Sequence, residues 1–354
     1  MSRIHSVTRW VGPGATAVGL LYGGFMVLSG GWHFSALDDL LSADPVASVI
    51  GEPVSLTGRE QRPEGVLRIA TFNVSQFADK KSSTREHETG VDVLGTIAKI
   101  VAQFDLVAVQ EIQGVDGVAI QRLVELLRAS GRPYTATISD LIGDDELRES
   151  YAFVWDPQRV DFIPGSSYVV QDDGEKMHRE PMVASFQARL PANSTRRPFR
   201  FTLINAHTYP TQMDSESPTD ELTVLADVFQ SVRQFEYKQH FEDDCILLGD
   251  LSATTEQLGQ LHLIPGIVSV AGDVPTDIAR TTTHDHILID KTVTSEYTGQ
   301  MGVIDLQKDF GLSKLQAQAI SDHLPLWAEF EAYERPLPSQ AQATASGRRT
   351  RLIQ

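Results

Sequence analysis

Polar side chains suited to catalysis lie at the ends of apolar runs in this sequence. Asn73 follows one run, Glu111 follows a second and Asp250 follows a third. A carboxylate at the end of a buried strand costs free energy unless it is paired or bound to a metal. One such residue is usually a cap or part of an ion pair, but here the pattern recurs along the chain. The set that indicates a functional site is Asn73, Glu111, His207, Asp250, Asp285, Asp322 and His323.

The residue types in this set favour a divalent cation together with acid–base chemistry. Most of the potential ligand atoms are oxygens, which favour Mg²⁺, Mn²⁺ or Ca²⁺ over zinc. The dipeptide Asp322-His323 and the separate Asp285 would allow a carboxylate to orient an imidazole for proton transfer.

Alternating strands and helices would position these residues. Residues 67–74 and 105–112 are apolar runs of strand length, and apolar residues between 93 and 104 recur at spacings of three and four, which predicts a helix. A second helix is expected after Ser217-Pro218, with Leu222, Leu225, Phe229 and Val232 as its buried stripe. Many strands and few helices predict sheets packed face to face with helices outside. Further strands are predicted at residues 151–156, 183–190, 200–206, 245–248, 286–289 and 326–331.

Six short motifs, taken in order, resemble the endonuclease/exonuclease/phosphatase superfamily. Each is a weak signal alone, but six in order over about 260 residues make a strong one. Three further features resemble the deoxyribonuclease I branch: Glu149 two residues before Tyr151, Arg179-Glu180-Pro181 before a predicted strand, and His207. The six motifs are Thr71-Phe72-Asn73, Gln110-Glu111, Asn205-Ala206-His207-Thr208, Gly249-Asp250-Leu251, Asp285-His286-Ile287-Leu288 and Ser321-Asp322-His323-Leu324-Pro325.

This resemblance implies a fold and a metal. The fold is α/β (α+β): a DNase I-like four-layer sandwich of two packed, mostly antiparallel β-sheets flanked by helices, with the site at one end. The metal is Mg²⁺, with Mn²⁺ or Ca²⁺ as alternatives. Glu111 would be the principal metal ligand with Asn73 beside it, and Asp322 would add a carboxylate on the metal or phosphate side.

The resemblance also implies catalytic roles. Asp250 would hold or activate the attacking water. His323, oriented by Asp285, and His207, oriented by Glu149, would share acid–base catalysis. A neutral imidazole can accept a proton near pH 7 while a protonated neighbour donates one.

Three residues are expected on the substrate side of the site. Arg179 would reach a phosphate oxygen, or would pair with a carboxylate such as Glu180. Ser252 stands where the superfamily usually has an asparagine, and its shorter hydroxyl could act through a water. Asn205 is expected either at the substrate or as a support for the strand end at His207.

Two features weaken the case for DNA as the substrate. Gln113 stands where the nuclease branch tends to have an arginine that reaches the DNA minor groove. The chain has 30 Lys+Arg against 47 Asp+Glu, and this net charge of −17 excludes a general basic surface. The leading interpretation is a divalent-metal-dependent phosphodiesterase, with nucleic acid as the first substrate expected. The alternatives are a phospholipid-headgroup phosphodiesterase or phosphatase, and a binding module in which Ser252 marks impaired catalysis.

The two ends of the chain differ from its body. No Asp, Glu, Lys or Arg occurs in the 28 residues from Trp10 to Leu37, which follow Arg9 and precede Asp38. Residues 1–40 are therefore predicted to be a membrane anchor (about residues 10–34) or a cleaved secretory signal, which implies a cell-envelope or secreted protein. Residues 41–65 are predicted as a linker, 66–333 as the catalytic domain and 334–354 as a disordered basic tail. The single cysteine, Cys245, excludes an internal disulfide framework.

Overall fold

Strands predominate in the part of the chain that the computed structural model describes, which is residues 65–114, 117–143, 148–172, 176–209 and 221–335. The strands of these ranges are β1 (Val66–Phe77), β2 (Leu106–Ile112), β3 (Thr135–Ile138), β4 (Ser150–Trp155), β5 (Val160–Phe162), β6 (Tyr168–Val169), β7 (Met182–Ala188), β8 (Arg200–His207), β9 (Cys245–Asp250), β10 (Ile267–Ser269), β11 (Asp285–Asp290), β12 (Tyr297–Val303) and β13 (Leu326–Glu331). The helices are α1 (Asp79–Thr89), α2 (Val93–Val101), α3 (Val118–Ala129), α4 (Glu221–His240), α5 (Gln260–Leu263), α6 (Leu306–Phe310) and α7 (Lys314–Ile320), with a 3₁₀ turn at Thr255–Gln257.

The strands form two sheets. The first has the order β12-β13-β1-β2-β4-β3, and the second has the order β10-β11-β9-β8-β7-β5 with β6 paired to β7. Each sheet contains one parallel pair, β1 with β2 and β8 with β9, and the other pairs are antiparallel. Two packed, mostly antiparallel sheets with flanking helices confirm the predicted four-layer sandwich.

Burial on both faces explains why the central strands are continuous apolar runs. One hydrophobic core lies between the sheets, where the rings of Phe153 and Phe186 meet edge to face with their centroids 5.4 Å apart. A second core lies between the first sheet and the helices, and it includes Ile97 of α2 and Leu123 of α3. A strand covered on both faces has no polar face, so its side chains do not alternate in polarity. The predicted stripe of α4 is also confirmed as buried: Leu222, Leu225, Phe229 and Val232.

The strand registers bring the predicted site residues to one end of the sandwich. In the parallel pair of the first sheet, Asn73 lies opposite Gln110. In the parallel pair of the second sheet, His207 lies opposite Asp250, which in turn lies opposite Asp285 of the antiparallel neighbour β11. Because parallel strands end at the same edge of a sheet, polar residues that follow them in sequence become neighbours in space.

The predicted anchor or signal and nearly all of the predicted linker and tail lie outside the described residues. Within the described ranges, no helix has the length and apolar character needed to cross a membrane. All of the described residues except Gln171 and Asp172 belong to one compact unit.

Gly249 allows β8 and β9 to approach each other next to the site. Its φ is 144°, and a Cβ atom at this position would lie 1.8 Å from the backbone oxygen of Ala206. Backbone atoms of a central strand cannot yield as a flexible side chain can, so only glycine fits here.

We expect Gly249→Ala to lower the free energy of unfolding by about 3 kcal/mol or more, because backbone strain and overpacking each cost about 1–3 kcal/mol. Gly131→Ala is the matched control. Gly131 also has a positive φ of 82°, but nothing lies within 4 Å of its Cβ position, so the loss there should be about 1 kcal/mol. Urea denaturation of both variants measures the difference, and equal losses would contradict the clash with Ala206.

Candidate active site

The carboxylate of Asp250 lies at the centre of the predicted site and is 2% exposed. Its Oδ2 accepts a hydrogen bond from Nδ2 of Asn73 at 2.9 Å and lies 3.5 Å from Nε2 of His207 and 3.4 Å from Nε2 of His323. Its Oδ1 accepts hydrogen bonds from the backbone N–H and the hydroxyl of Ser252, at 2.8 and 3.2 Å. Burial alone would raise the pKa of Asp250, but the charges of His323 and His207 and these hydrogen bonds lower it to about 2. Asp250 is therefore a buried carboxylate that stays ionised.

Each of the two histidines is held by a carboxylate of its own. Nδ1 of His323 lies 2.9 Å from Oδ2 of Asp285, and Nδ1 of His207 lies 2.9 and 3.0 Å from the two oxygens of Glu149. A carboxylate accepts hydrogen bonds, so each ring carries a hydrogen on Nδ1 and turns Nε2 toward Asp250.

The same contacts set the charge of the two rings. Burial alone would lower the pKa of His323, but Asp285 and Asp250 raise it well above its ordinary value. Burial also opposes the charged form of His207, yet Asp250 and Glu149 raise its pKa too. These shifts favour the imidazolium form of His323, in which Nε2 carries a proton.

Arg179 completes this arrangement behind His207. Its Nη1 donates to Oε2 of Glu149 at 3.2 Å, its Nε donates to the backbone oxygen of His207 at 3.3 Å, and its side chain is 4% exposed. Its Nη2 is buried and has no hydrogen-bond partner among the described residues. The predicted pairing of Arg179 with a carboxylate is thus made with Glu149.

Glu111 sits in a strained backbone conformation beside Asp250. It is not a glycine, yet its φ is 59°, a conformation that costs on the order of 1–3 kcal/mol and recurs at functional sites. Nδ2 of Asn73, which binds Asp250, also donates to Oε1 of Glu111 at 2.9 Å. The irregular end of β1 turns the N–H of Ser75 toward Oδ1 of Asn73 and the N–H of Gln76 toward Oε2 of Glu111, at 2.9 and 2.8 Å.

The donor atoms here fit a hard divalent cation. Two carboxylates, Glu111 and Asp250, are joined through the single amide of Asn73, and carboxylate oxygens are the ligands that Mg²⁺, Mn²⁺ and Ca²⁺ prefer. In this arrangement Asn73 presents its nitrogen to both carboxylates, so it positions them. Asp322 is exposed at the rim, and its charge and that of Glu111 both act on Arg85. Ligation by Asn73 and Asp322 stays a prediction.

The structure also locates the two remaining substrate-side candidates. Ser252 has a φ of 46° and contacts Asp250, so it orients the central carboxylate. Asn205 is fully buried, where its Oδ1 accepts from Gln110 at 2.7 Å and its Nδ2 lies 3.2 Å from the backbone oxygen of Val109. This placement between the sheets favours a supporting role for Asn205 over contact with a substrate.

Two residues that were not predicted as part of the site support its side chains. The hydroxyl of Ser321 donates to the backbone oxygen of Asn73 at 2.7 Å and accepts from the N–H of His323 at 2.9 Å, which ties the two strand ends together. The hydroxyl oxygen of Thr276 accepts from the N–H of Asp285 at 3.0 Å. Ser321 lies within a recognised motif, whereas no sequence signal marked Thr276.

Known proteins share this architecture. The chain is 30% identical over 278 residues to human deoxyribonuclease-1-like 1, which covers 75% of this chain and 84% of that protein. It is 29% identical over 277 residues to rat deoxyribonuclease gamma, and this match covers 73% of this chain and 83% of that protein. No protein-family model matches the chain. A solved endonuclease/exonuclease/phosphatase from Bacteroides vulgatus superposes with a TM-score of 0.51 at 13% identity, over 76% of this chain and 100% of that one, and shows the fold alone.

The identity to the human protein extends over most of both sequences. The chain therefore belongs to the deoxyribonuclease I-like branch of the endonuclease/exonuclease/phosphatase superfamily.

Proposed function

We propose that this protein is a divalent-metal-dependent phosphodiesterase that cleaves nucleic acid. The observation that carries the proposal is the convergence of two imidazoles, each held by its own carboxylate, on the single buried carboxylate of Asp250. Hydrolysis of a phosphodiester needs a group that takes a proton from water and a group that gives one to the leaving oxygen. Two histidines, each held by a different carboxylate, can supply the proton acceptor and the proton donor.

We assign the two proton transfers from the pKa directions. His323, whose pKa is raised further, donates the proton on Nε2 to the leaving oxygen. His207 accepts a proton at Nε2 when its ring is neutral, and Asp250 orients the attacking water beside it. Arg179 holds His207 through Glu149, and the predicted contact of Arg179 with a phosphate oxygen would use its Nη2.

Glu111 and Asp250 would hold the cation, with Asn73 and Asp322 as further predicted ligands. When bound, a divalent cation stabilises the charge that grows on the phosphoryl oxygens. The strained φ of Glu111 and the N–H of Gln76 fix the direction of its carboxylate before any ligand arrives.

Nucleic acid is the substrate that the relatives favour, since those compared above are deoxyribonucleases. A phospholipid headgroup is the alternative that an anchored enzyme would meet. A binding module without activity is less well supported, because Ser252 still donates two hydrogen bonds to Asp250 in place of the usual asparagine.

We also propose that the enzyme acts in the cell envelope or outside the cell. The uncharged run of residues 10–37 supports this, with Arg3 and Arg9 before it and Asp38 and Asp39 after it. That run lies outside the described residues.

We expect Glu111→Gln to lower the rate of plasmid DNA cleavage by about 10²-fold or more, because it removes a charge from the cation site. Glu125→Gln, an exposed acid on α3, is the matched control and should leave the rate unchanged. The assay compares plasmid DNA with sphingomyelin vesicles, each with Mg²⁺ and with EDTA. Full DNA cleavage in EDTA would contradict the proposed dependence on a divalent metal. Cleavage of sphingomyelin alone would establish the phospholipid alternative, and inactivity on both substrates would favour the binding module.

We expect Asp285→Asn to lower the pKa of His323, since the charge of Asp285 contributes most to raising that pKa. If His323 is the acid, it must be protonated, so activity is lost as pH rises through its pKa. The alkaline limb of kcat/KM should therefore move to lower pH in this variant, while Asp227→Asn, an exposed acid on α4, leaves it in place. NMR titration of the His323 ring measures the pKa itself. An unmoved alkaline limb despite a lowered pKa would show that His323 is not the acid.

A further inference from the structure

The peptide group between Ser75 and Gln76 is held from two sides beside the proposed metal site. Its N–H donates a hydrogen bond to Oε2 of Glu111 at 2.8 Å. Its carbonyl oxygen accepts a hydrogen bond from Nη1 of Arg85, a residue of α1, at 3.0 Å. A single peptide group therefore links the guanidinium of Arg85 to the carboxylate of Glu111.

The backbone on both sides of this peptide group is strained. Ser75 and Gln76 have φ angles of 46° and 55°, a left-handed conformation that costs free energy for any residue with a side chain. Such a conformation persists only where the surrounding structure holds it in place. Here the N–H of Ser75 donates to Oδ1 of Asn73 at 2.9 Å, and the next peptide group is bonded to Glu111 and Arg85. Arg85 is thus one of the contacts that keep this strained turn in its observed orientation.

The same nitrogen atom of Arg85 also holds a second segment of the site. Nη1 donates to the backbone oxygen of Ala319, in the last turn of α7, at 3.2 Å. Two residues further on, Ser321 bonds through its hydroxyl to the backbone oxygen of Asn73 and to the N–H of His323. Arg85 therefore ties the end of β1 to the end of α7, at the point where both segments enter the site.

The charge of Arg85 and its hydrogen bonds would have opposite effects on a bound cation. The charges of Asp322 and Glu111 act on this half-buried guanidinium, so its own positive charge would act on a cation held by these carboxylates and repel it. The hydrogen bonds favour binding, because a ligand that is already oriented loses less freedom when the cation arrives. Loss of a residue that orients a metal ligand typically costs about 10–100-fold in affinity, whereas solvent screens the charge of a half-buried arginine. The orienting effect should therefore dominate.

We propose that Arg85 is a positioning residue, which directs the carboxylate of Glu111 toward a divalent cation through the Ser75–Gln76 peptide group. This inference rests on the metal-dependent function proposed above and assigns a role to a residue of α1. It predicts that affinity for the cation depends on the hydrogen bonds of Arg85 and not only on the ligands themselves.

The test is the binding of Mn²⁺ alone to the full chain, measured by isothermal titration calorimetry. Arg85→Lys keeps the positive charge, but the lysine side chain ends one bond short of Nη1, so the hydrogen bonds to Ser75 and Ala319 are weakened. We expect this variant to raise the Kd for Mn²⁺ about tenfold or more. Arg85→Gln, which also removes the charge, should raise the Kd as well. An unchanged Kd in Arg85→Lys together with a lower Kd in Arg85→Gln would show that Arg85 acts by repulsion only, and would overturn the proposal.

Amide hydrogen exchange measures the orientation of the peptide group without any metal. In Arg85→Lys the N–H of Gln76 should exchange faster than in the unmodified chain, because its peptide group has lost a partner. Gln316→Ala is the matched control, since Nε2 of Gln316 donates to the backbone oxygen of Thr89 at 3.4 Å and forms another link between α7 and α1. This control should change neither the exchange of Gln76 nor the Kd for Mn²⁺. Equal changes in both variants would show that Arg85 only joins the two helices, and would overturn the proposal.

Glu111→Gln distinguishes failure of this inference from failure of the proposed metal site. If Glu111→Gln leaves the Kd for Mn²⁺ unchanged, Glu111 does not bind the cation and both proposals fail. If Glu111→Gln weakens binding but Arg85→Lys does not, the metal site stands and the role of Arg85 is overturned. An Arg85→Lys chain that does not fold would also overturn that role, since Arg85 would then be required for the fold itself.

Discussion

The active site depends on keeping one buried carboxylate, Asp250, ionised. An isolated carboxylate with 2% exposure would take up a proton. Here it remains charged because two imidazoles and an amide converge on its Oδ2. Those imidazoles are buried as well, so each needs an anion on its other side. The result is a row of alternating charges: Asp285, His323, Asp250, His207, Glu149 and Arg179.

This row is neutral as a whole when both rings are protonated, with three anions and three cations. Such balance is what allows so many charges below the surface, because each is paired and hydrogen-bonded. Glu111, attached through Asn73, adds one negative charge that the row does not compensate. A divalent cation at Glu111 would offset this charge, so charge balance favours the proposed cation.

Several strands of the fold and several side chains of the site could be predicted from the sequence, because apolar strands end in polar residues. Buried strands such as β9 and β11 are recognisable as continuous apolar runs, and the side chains at their ends, Asp250 and Asp285, follow from the chain order alone. Helix α1 was not predicted, since its sequence has no apolar stripe to mark it. Strand β12 was missed for a related reason: it is half exposed and contains two glycines, which weaken strand propensity.

Supporting contacts were harder to predict because they depend on which strands become neighbours. The asparagine at 205 lies in a recognised motif, yet its partners Gln110 and Val109 belong to the other sheet, so only the packing of the two sheets shows that its amide is used internally. The backbone N–H groups of Ser75 and Gln76 carry no sequence signal at all, because any residue type provides them.

The two ends of the sandwich show how burial changes the meaning of an acidic residue. In the sequence, Glu242-Asp243-Asp244 looks like a solvated turn, and Asp250 stands only six residues further on. Packing α4 and the segment before β12 against the start of β9 buries Glu242, Asp244 and Glu296 together. At the active-site end, histidines and an arginine of the chain itself balance the buried acids. At the other end, burial and the charges of Glu296 and Glu242 raise the pKa of Asp244. The acid just before β9 is thus surrounded by other acids, whereas the acid that ends β9 is held by cations of the chain itself.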